Sequence, residues 1–128
     1  MAEIRELSTA SAPAAVGPYS QAIVAGGFVF ASGQLGLRPD TGAFAGDSAA
    51  AQAEQALKNL SAVLEAAGSG LPLAVKMTIF LADMADFSSV NEVYQRFLMK
   101  PFPARSCVQV AALPKGGRVE IEAIAILK

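Results

Sequence analysis

No charged residue occurs between Leu7 and Leu37, and this uncharged segment is the strongest constraint on how the chain can fold. Such a segment must either cross a membrane or have most of its backbone covered by protein. Pro13, Gly17 and Pro18 interrupt it, and a membrane-spanning helix would not contain them. The residues before it are acidic rather than basic, which disfavours a signal peptide. We therefore expect a cytoplasmic protein with no membrane role.

The composition indicates an oligomer. Of the 128 residues, 53% are hydrophobic and 16% are charged, whereas an average soluble domain has about 25% charged residues. A chain of this length is expected to form one domain, residues 1–128. Because a small monomer needs much polar surface, the deficit of charge predicts that another subunit covers part of the apolar surface.

The residues that are missing exclude several kinds of chemistry. There is no histidine, so Ser-His and Cys-His triads and the usual zinc sites are excluded. Cys107 is the single cysteine, so an intrachain disulfide and an iron–sulfur site are excluded as well. The ten basic and eleven acidic residues are scattered, which predicts no nucleic-acid partner. We expect neither a metal nor a cofactor.

The hydrophobic periodicity predicts strands, a helix, a strand, a second helix and two final strands. The predicted strands are residues 4–7, 22–25, 28–32, 73–82, 105–112 and 118–127. The first helix begins at Asp47 or Ser48 and ends at Gly68; the second begins near Asp86 or Ser89 and stops at Pro101. This order predicts an α+β fold, a mixed sheet of about six strands with two helices on one face. The other face is left for a partner.

Arg105 is the first candidate for chemistry. Two prolines and a phenylalanine in residues 101–104 stiffen the chain before it, so its guanidinium should be well positioned at the start of a strand. A guanidinium offers a planar fork of donors to a carboxylate or phosphate. A solvated arginine at a strand end is the alternative. Cys107 should share its face of the strand, and we interpret it as a packing residue because no base or helix start lies nearby in sequence.

Glu120 and Glu122 form the second candidate, because they should share a strand face with Ile124 and Ile126. A carboxylate on an apolar face is paired, lies at an interface, or is functional, for example by holding a water for attack. A solvated strand edge explains the pattern equally well.

Two polar loops complete the candidates. Residues 17–21 are a rigid turn that includes Tyr19, and residues 31–34 end a strand with Ser32 and Gly33. Strand ends of this kind allow a ligand to approach backbone N–H groups closely. Neither loop is specific by itself.

Taken together, these segments resemble the RidA branch of the reactive-intermediate deaminase (YjgF-type) superfamily. The resemblance runs from about residue 12 to residue 127, and its weaker markers are residues 14–22, 32–34, 80–87 and 90–94. Its strongest marker is Phe-Pro-Ala-Arg-Ser-Cys-Val at 102–108, followed by Val-Glu-Ile-Glu-Ala at 119–123.

The resemblance implies a chorismate-mutase-like domain that assembles as a homotrimer with ligand clefts between subunits. It also implies a 2-iminobutanoate/2-iminopropanoate deaminase, which hydrolyses the imine products of pyridoxal-phosphate dehydratases to 2-oxo acids and ammonia. By motif, Arg105 would bind the substrate carboxylate and Glu120 would orient the attacking water. The residues that would line the cleft are Tyr19, Ser32, Gly33, Asn91 and Cys107.

The order of the last two strands adds a geometric prediction. If residues 113–117 form a simple turn, Arg105 lies opposite residue 125 or 126 in a hairpin. Glu120 would then be roughly 17–20 Å away along the strand. This separation predicts that the Arg105 and Glu120 acting on one substrate come from different subunits.

Two other functions remain open. The first is a trimeric module that binds small carboxylate metabolites without turning them over, although such a binder gains little from Glu120. The second is a chaperone-like or RNA-cleaving role, which the balanced charge and the missing histidine disfavour.

Overall fold

A computed structural model describes residues 3–128 of the chain. It contains one six-stranded sheet and two α-helices, α1 (Ala49–Ala66) and α2 (Phe87–Phe97). The strands are β1 (Arg5–Leu7), β2 (Ala22–Ala25), β3 (Phe28–Leu35), β4 (Ala74–Leu81), β5 (Ala104–Gln109) and β6 (Val119–Ile126). Their order in the sheet is β1-β2-β3-β6-β4-β5. The predicted α+β class and the mixed sheet are confirmed.

Local sequence explains where these elements begin and end. Gly26 and Gly27 both have positive φ, at 58° and 83°, which is the backbone that a two-residue hairpin between β2 and β3 requires. The Ser48 side chain accepts a hydrogen bond from the Ala51 N–H and caps α1. Gly68 follows α1 with φ of 89°, as expected for a residue that ends a helix.

Several boundaries differ from the prediction: β3 ends three residues later than predicted, at Leu35, and β5 ends three residues earlier, at Gln109. β4 begins at Ala74, one residue later than predicted, and its pairing with β6 shifts register between Ala74 and Lys76, which leaves Val75 exposed. The second helix begins as the Asp86 alternative predicts: α2 starts at Phe87 with Asp86 at its N-cap position, after a 3₁₀ turn that Asp83 caps, and Ser89 lies inside the helix. The helix also ends at Phe97, before Pro101 is reached.

The predicted hairpin between the last two strands is wrong. β5 pairs parallel with β4 at the edge of the sheet, and β6 lies between β3 and β4. The reason is the α2 crossover: a helix between two strands carries the chain back, so that the second strand can lie parallel to the first. The link from β5 to β6 then passes over β4 through a 3₁₀ turn at Pro114–Gly116.

Both helices pack on one face of the sheet, as predicted. The core between them is built from side chains that are almost fully buried, and its largest members are Leu57, Leu60, Leu64, Met77, Ile79, Leu81 and Ile121. The opposite face, which we call the open face, carries Phe28, Phe30, Val108 and Ile126, each between 38% and 44% exposed. Apolar side chains grouped in this way are typical of a surface that a partner covers.

The loop after β3 is held tightly against α1. Asn59 is buried and its side-chain amide donates hydrogen bonds to the carbonyls of Leu35 and Leu37, at 3.2 and 2.8 Å. Gly36 lies between them, and a Cβ placed there would overlap the backbone oxygen of Gln52. Backbone atoms of a packed helix cannot move aside cheaply, so position 36 requires glycine.

We therefore expect Gly36→Ala to lower the free energy of unfolding by about 1–3 kcal/mol, the usual range for an overpacked site. Chemical denaturation measures this change. Gly70→Ala is the matched control, because the nearest atom to a Cβ at Gly70 is 3.5 Å away, an ordinary contact. Equal stabilities of the two variants would contradict the tight packing.

Candidate active site

Arg105 lies in an open cleft between α2 and the segment that leads into β5. The cleft has a volume of about 600 Å³ and is lined by Asn91, Tyr94, Gln95, Phe102, Pro103 and Arg105. Arg105 is paired in the sheet with Met77, whose side chain is buried under the helices. The Arg105 side chain therefore leaves the sheet on the helix side and meets α2.

Three contacts fix the guanidinium. Its Nη1 donates a hydrogen bond to Oδ1 of Asn91 at 2.6 Å. Its Cζ lies 4.9 Å from the ring centroid of Tyr94 and 5.7 Å from that of Phe87. The residue is exposed, as the solvated-arginine alternative requires, but a freely solvated arginine would not make these contacts.

The ionisable neighbours of Arg105 are neutral at ordinary pH. Burial raises the pKa of Cys107, and the nearby Arg105 charge only partly offsets this effect. Tyr94 behaves in the same way: burial raises the pKa of its phenol and Arg105 opposes the shift. Among residues 3–128, the one ion pair within 4.0 Å joins Lys58 to Glu54 on α1. The positive charge of Arg105 is thus left without an anionic partner.

A second cleft lies on the other side of the sheet, next to Glu120. It has a volume of about 700 Å³, and its lining includes Tyr19, Ser32, Gly33 and Glu120. Ser32 donates its hydroxyl hydrogen to the carbonyl of Ser20 at 2.6 Å, so its lone pairs remain to accept another bond. The Tyr19 side chain is 53% exposed.

Gly33 and Glu120 are in close contact because the β3–β6 pairing shifts register between Ala31 and Gln34. A Cβ at Gly33 would lie 2.7 Å from the carboxyl carbon of Glu120, so the missing side chain makes room for the carboxyl group. Burial raises the pKa of Glu120, and the negative charge of Glu122 raises it further. Glu120 can therefore exchange a proton closer to neutrality than an ordinary glutamate.

Within one chain the two clefts do not meet. Glu120 is paired with Phe80, on the open face, whereas Arg105 is paired with Met77, on the helix face. Two strand spacings and three residues along the sheet also separate them, roughly 14 Å between Cα atoms. The predicted site residues thus form two groups. Asn91, Arg105 and Cys107 lie on one side, and Tyr19, Ser32, Gly33 and Glu120 lie on the other.

Sequence reasoning missed the aromatic neighbours of Arg105. Neither Tyr94, which lies on the buried face of α2, nor Phe87 was singled out for contact with an arginine. The signal that could have found them is the spacing of Phe87, Asn91 and Tyr94, which recur at four and three residues on one helix face.

In residues 3–128, no three side chains of His, Cys, Asp or Glu come together as a metal site would require. No helix in the same range is long and apolar enough to cross a membrane.

Several known proteins are similar to this chain along most of its length. Residues 9–127 match the family profile described as Endoribonuclease L-PSP. The 2-iminobutanoate/2-iminopropanoate deaminase of Bos taurus is 53% identical over 94% of this chain and 88% of its own length. The structure of RidA from an Antarctic Psychrobacter is 50% identical and superposes with a TM-score of 0.92 over 96% of this chain and 99% of its own. The structure of E. coli TdcF with bound serine is 43% identical, with a TM-score of 0.90 over 97% and 99%.

Proposed function

The chain belongs to the Endoribonuclease L-PSP family, and we propose that it performs the reaction of that family's 2-imino acid deaminases. It hydrolyses 2-imino acids, which pyridoxal-phosphate dehydratases release, to 2-oxo acids and ammonia. The observation that carries the proposal is the guanidinium of Arg105, which is fixed in an open cleft and has no anionic partner. A small carboxylate is the ligand that this arrangement fits best.

Imine hydrolysis requires the protein mainly to bind the substrate and to position a water molecule beside it. An iminium carbon is a strong electrophile, so a water molecule can add to it without a metal or a covalent nucleophile. Water forms a C–O bond at the imine carbon, the C–N bond then breaks, and ammonia leaves as the C=O bond forms. Arg105 holds the carboxylate next to that carbon, while Glu120 orients the water, accepts its proton and returns that proton to the amino group that leaves as ammonia.

The opposite placement of Arg105 and Glu120 supports a site shared between subunits. We propose a homotrimer of single-domain subunits, in which the open face of one subunit meets the edge strand β5 of the next. The exposed apolar residues of the open face support this contact, since another subunit would cover them. Each cleft then combines Arg105, Asn91 and Cys107 of one subunit with Tyr19, Ser32, Gly33 and Glu120 of its neighbour.

The compartment we propose is the cytoplasm, where the single thiol would stay reduced. Within the cleft, Cys107 packs beside Arg105 and contributes shape. Tyr19 and Ser32 offer hydroxyl groups to the substrate, and Gly33 allows it to approach the backbone. These roles follow the motif resemblance.

The test of the function uses a threonine dehydratase reaction, to which the purified protein is added. We expect 2-oxobutanoate to appear faster with the wild-type protein and to be accelerated far less by an equal amount of Arg105→Ala. A wild-type protein that binds 2-oxobutanoate but leaves the rate unchanged would support the non-catalytic binding module instead. No binding and no acceleration would reject both functions.

The raised pKa of Glu120 predicts where kcat/KM begins to fall on the acidic side of its pH profile. Glu120 must be ionised to accept the proton of water, so kcat/KM should fall as pH decreases through this raised pKa, above the range of an ordinary glutamate. Glu122→Gln removes a neighbouring negative charge, which lowers the pKa of Glu120. We therefore expect the limb of Glu122→Gln to lie at lower pH.

The measurement is kcat/KM across pH 4–8 for both proteins, with the coupling enzymes in excess. Glu54→Gln on the exposed surface of α1 is the control and should leave the limb in place. A limb that moves to higher pH in Glu122→Gln would contradict the assignment of Glu120 as the base.

A further inference from the structure

The guanidinium of Arg105 is held by three uncharged side chains of α2. Phe87, Asn91 and Tyr94 lie on one face of the helix, and each contacts the same guanidinium. Asn91 takes a single N–H of the five that a guanidinium offers, and the two rings contact the group through π faces that need no N–H donor. The remaining N–H groups are available to a planar anion.

Neutral partners leave the positive charge of Arg105 available to the substrate, whereas a carboxylate partner would not. An aspartate or glutamate could also fix an arginine, but the resulting ion pair would neutralise the charge that must attract the substrate. Aromatic rings and an amide restrict the side chain and leave its full charge in place. Tyr94 is itself held in position, because it is buried and its hydroxyl lies 3.6 Å from the sulfur of Met77.

We propose that Phe87, Asn91 and Tyr94 are positioning residues that order the Arg105 guanidinium before substrate binds and do not neutralise it. The proposal rests on the proposed function for the identity of the anion, a 2-imino or 2-oxo acid. The ordering itself is a property of the free protein and can be measured without any ligand. Most of the effect comes from Tyr94, since its ring is the nearer of the two.

The test is ¹⁵N relaxation of the Arg105 Nε–H group in the ligand-free protein. We expect an order parameter near that of the rigid backbone, about 0.85, in the wild type and below about 0.6 in Tyr94→Leu. Tyr94→Phe keeps the ring and should keep the order. Phe87→Leu changes a half-buried side chain at the start of α2 and should also lower the order parameter of Arg105. It provides the test if Tyr94→Leu does not fold.

A kinetic measurement separates positioning from mere stability. Tyr94→Leu and Phe87→Leu should raise KM for 2-iminobutanoate about fivefold and change kcat less, as loss of a cation–π contact predicts. Tyr94→Phe should stay within about twofold of the wild type.

The proposal would be overturned if Arg105 were as ordered in the folded leucine variants as in the wild type, or if it were disordered in the wild type. An ordered Arg105 in a wild-type protein without deaminase activity would instead reject the proposed function and leave the positioning role standing.

Discussion

Arg105→Ala is expected to lower kcat/KM for 2-iminobutanoate about 10- to 150-fold. A charge-assisted hydrogen-bonded pair contributes roughly 1.5–3 kcal/mol, and each 1.4 kcal/mol corresponds to a factor of about ten in rate. The substitution should lower activity without lowering stability, because Arg105 is exposed and lies on an edge strand. Thermal unfolding of the variant should therefore remain close to that of the wild type.

Arg105→Lys should recover little of the activity. A lysine keeps the charge but has no planar fork for a carboxylate, and its compact ammonium does not reproduce the contacts that the guanidinium makes with Asn91, Tyr94 and Phe87. Arg96→Ala, on the exposed surface of α2 and outside the cleft lining, is the matched control and should retain full activity. Near-full turnover by Arg105→Lys would show that positive charge alone suffices, contrary to the fork argument.

Mixed oligomers of Arg105→Ala and Glu120→Ala should regain activity that neither variant has alone. In a trimer whose sites each combine Arg105 of one subunit with Glu120 of the next, random mixing in equal amounts leaves about one quarter of the sites with both residues intact. The mixture should accordingly reach about a quarter of wild-type turnover. The reason is the placement of the two side chains on opposite faces of the sheet, which prevents one chain from supplying both to one cleft.

The measurement needs proof that subunits have exchanged, for example by mass spectrometry of differently tagged variants. Mixing Arg105→Ala with Arg105→Lys is the control, and it should give no recovery because neither subunit supplies an arginine. An exchanged mixture that stays as inactive as its parents would mean that each site is built from a single chain.

Most helices and strands could be predicted from the sequence because interactions within a few residues determine them. The glycine pair at 26–27, the Ser48 cap and the alternation in β4 each act over a few residues, and the structure contains the hairpin, helix and strand they predict. The bulge beside Val75 was missed because a single inserted residue leaves the hydrophobic pattern almost unchanged.

The pairing of distant strands could not be predicted in the same way. The hairpin rule suggested that β5 and β6 are neighbours, but the helical crossover through α2 places β5 parallel to β4, and β6 lies between β3 and β4. The prediction that Arg105 and Glu120 belong to different subunits remains a prediction. Its original argument was wrong, and the opposite faces of the sheet now support it.

The candidate site was predicted as residue types and not as an arrangement. Arg105 and Glu120 were candidates by residue type and position, and the motif resemblance gave them their roles. The aromatic contacts of Arg105 depend on how α2 crosses the sheet, which sequence spacing alone does not determine. The same holds for the contact between Gly33 and Glu120, which a bulge in β3 creates.

A crystal structure of the protein with 2-oxobutanoate tests the central assignment most directly. We expect both carboxylate oxygens within hydrogen-bonding distance of the Arg105 guanidinium, and the 2-oxo carbon directed toward Glu120 of an adjacent subunit. A 2-oxobutanoate molecule bound elsewhere, with its carboxylate out of contact with Arg105, would contradict the account.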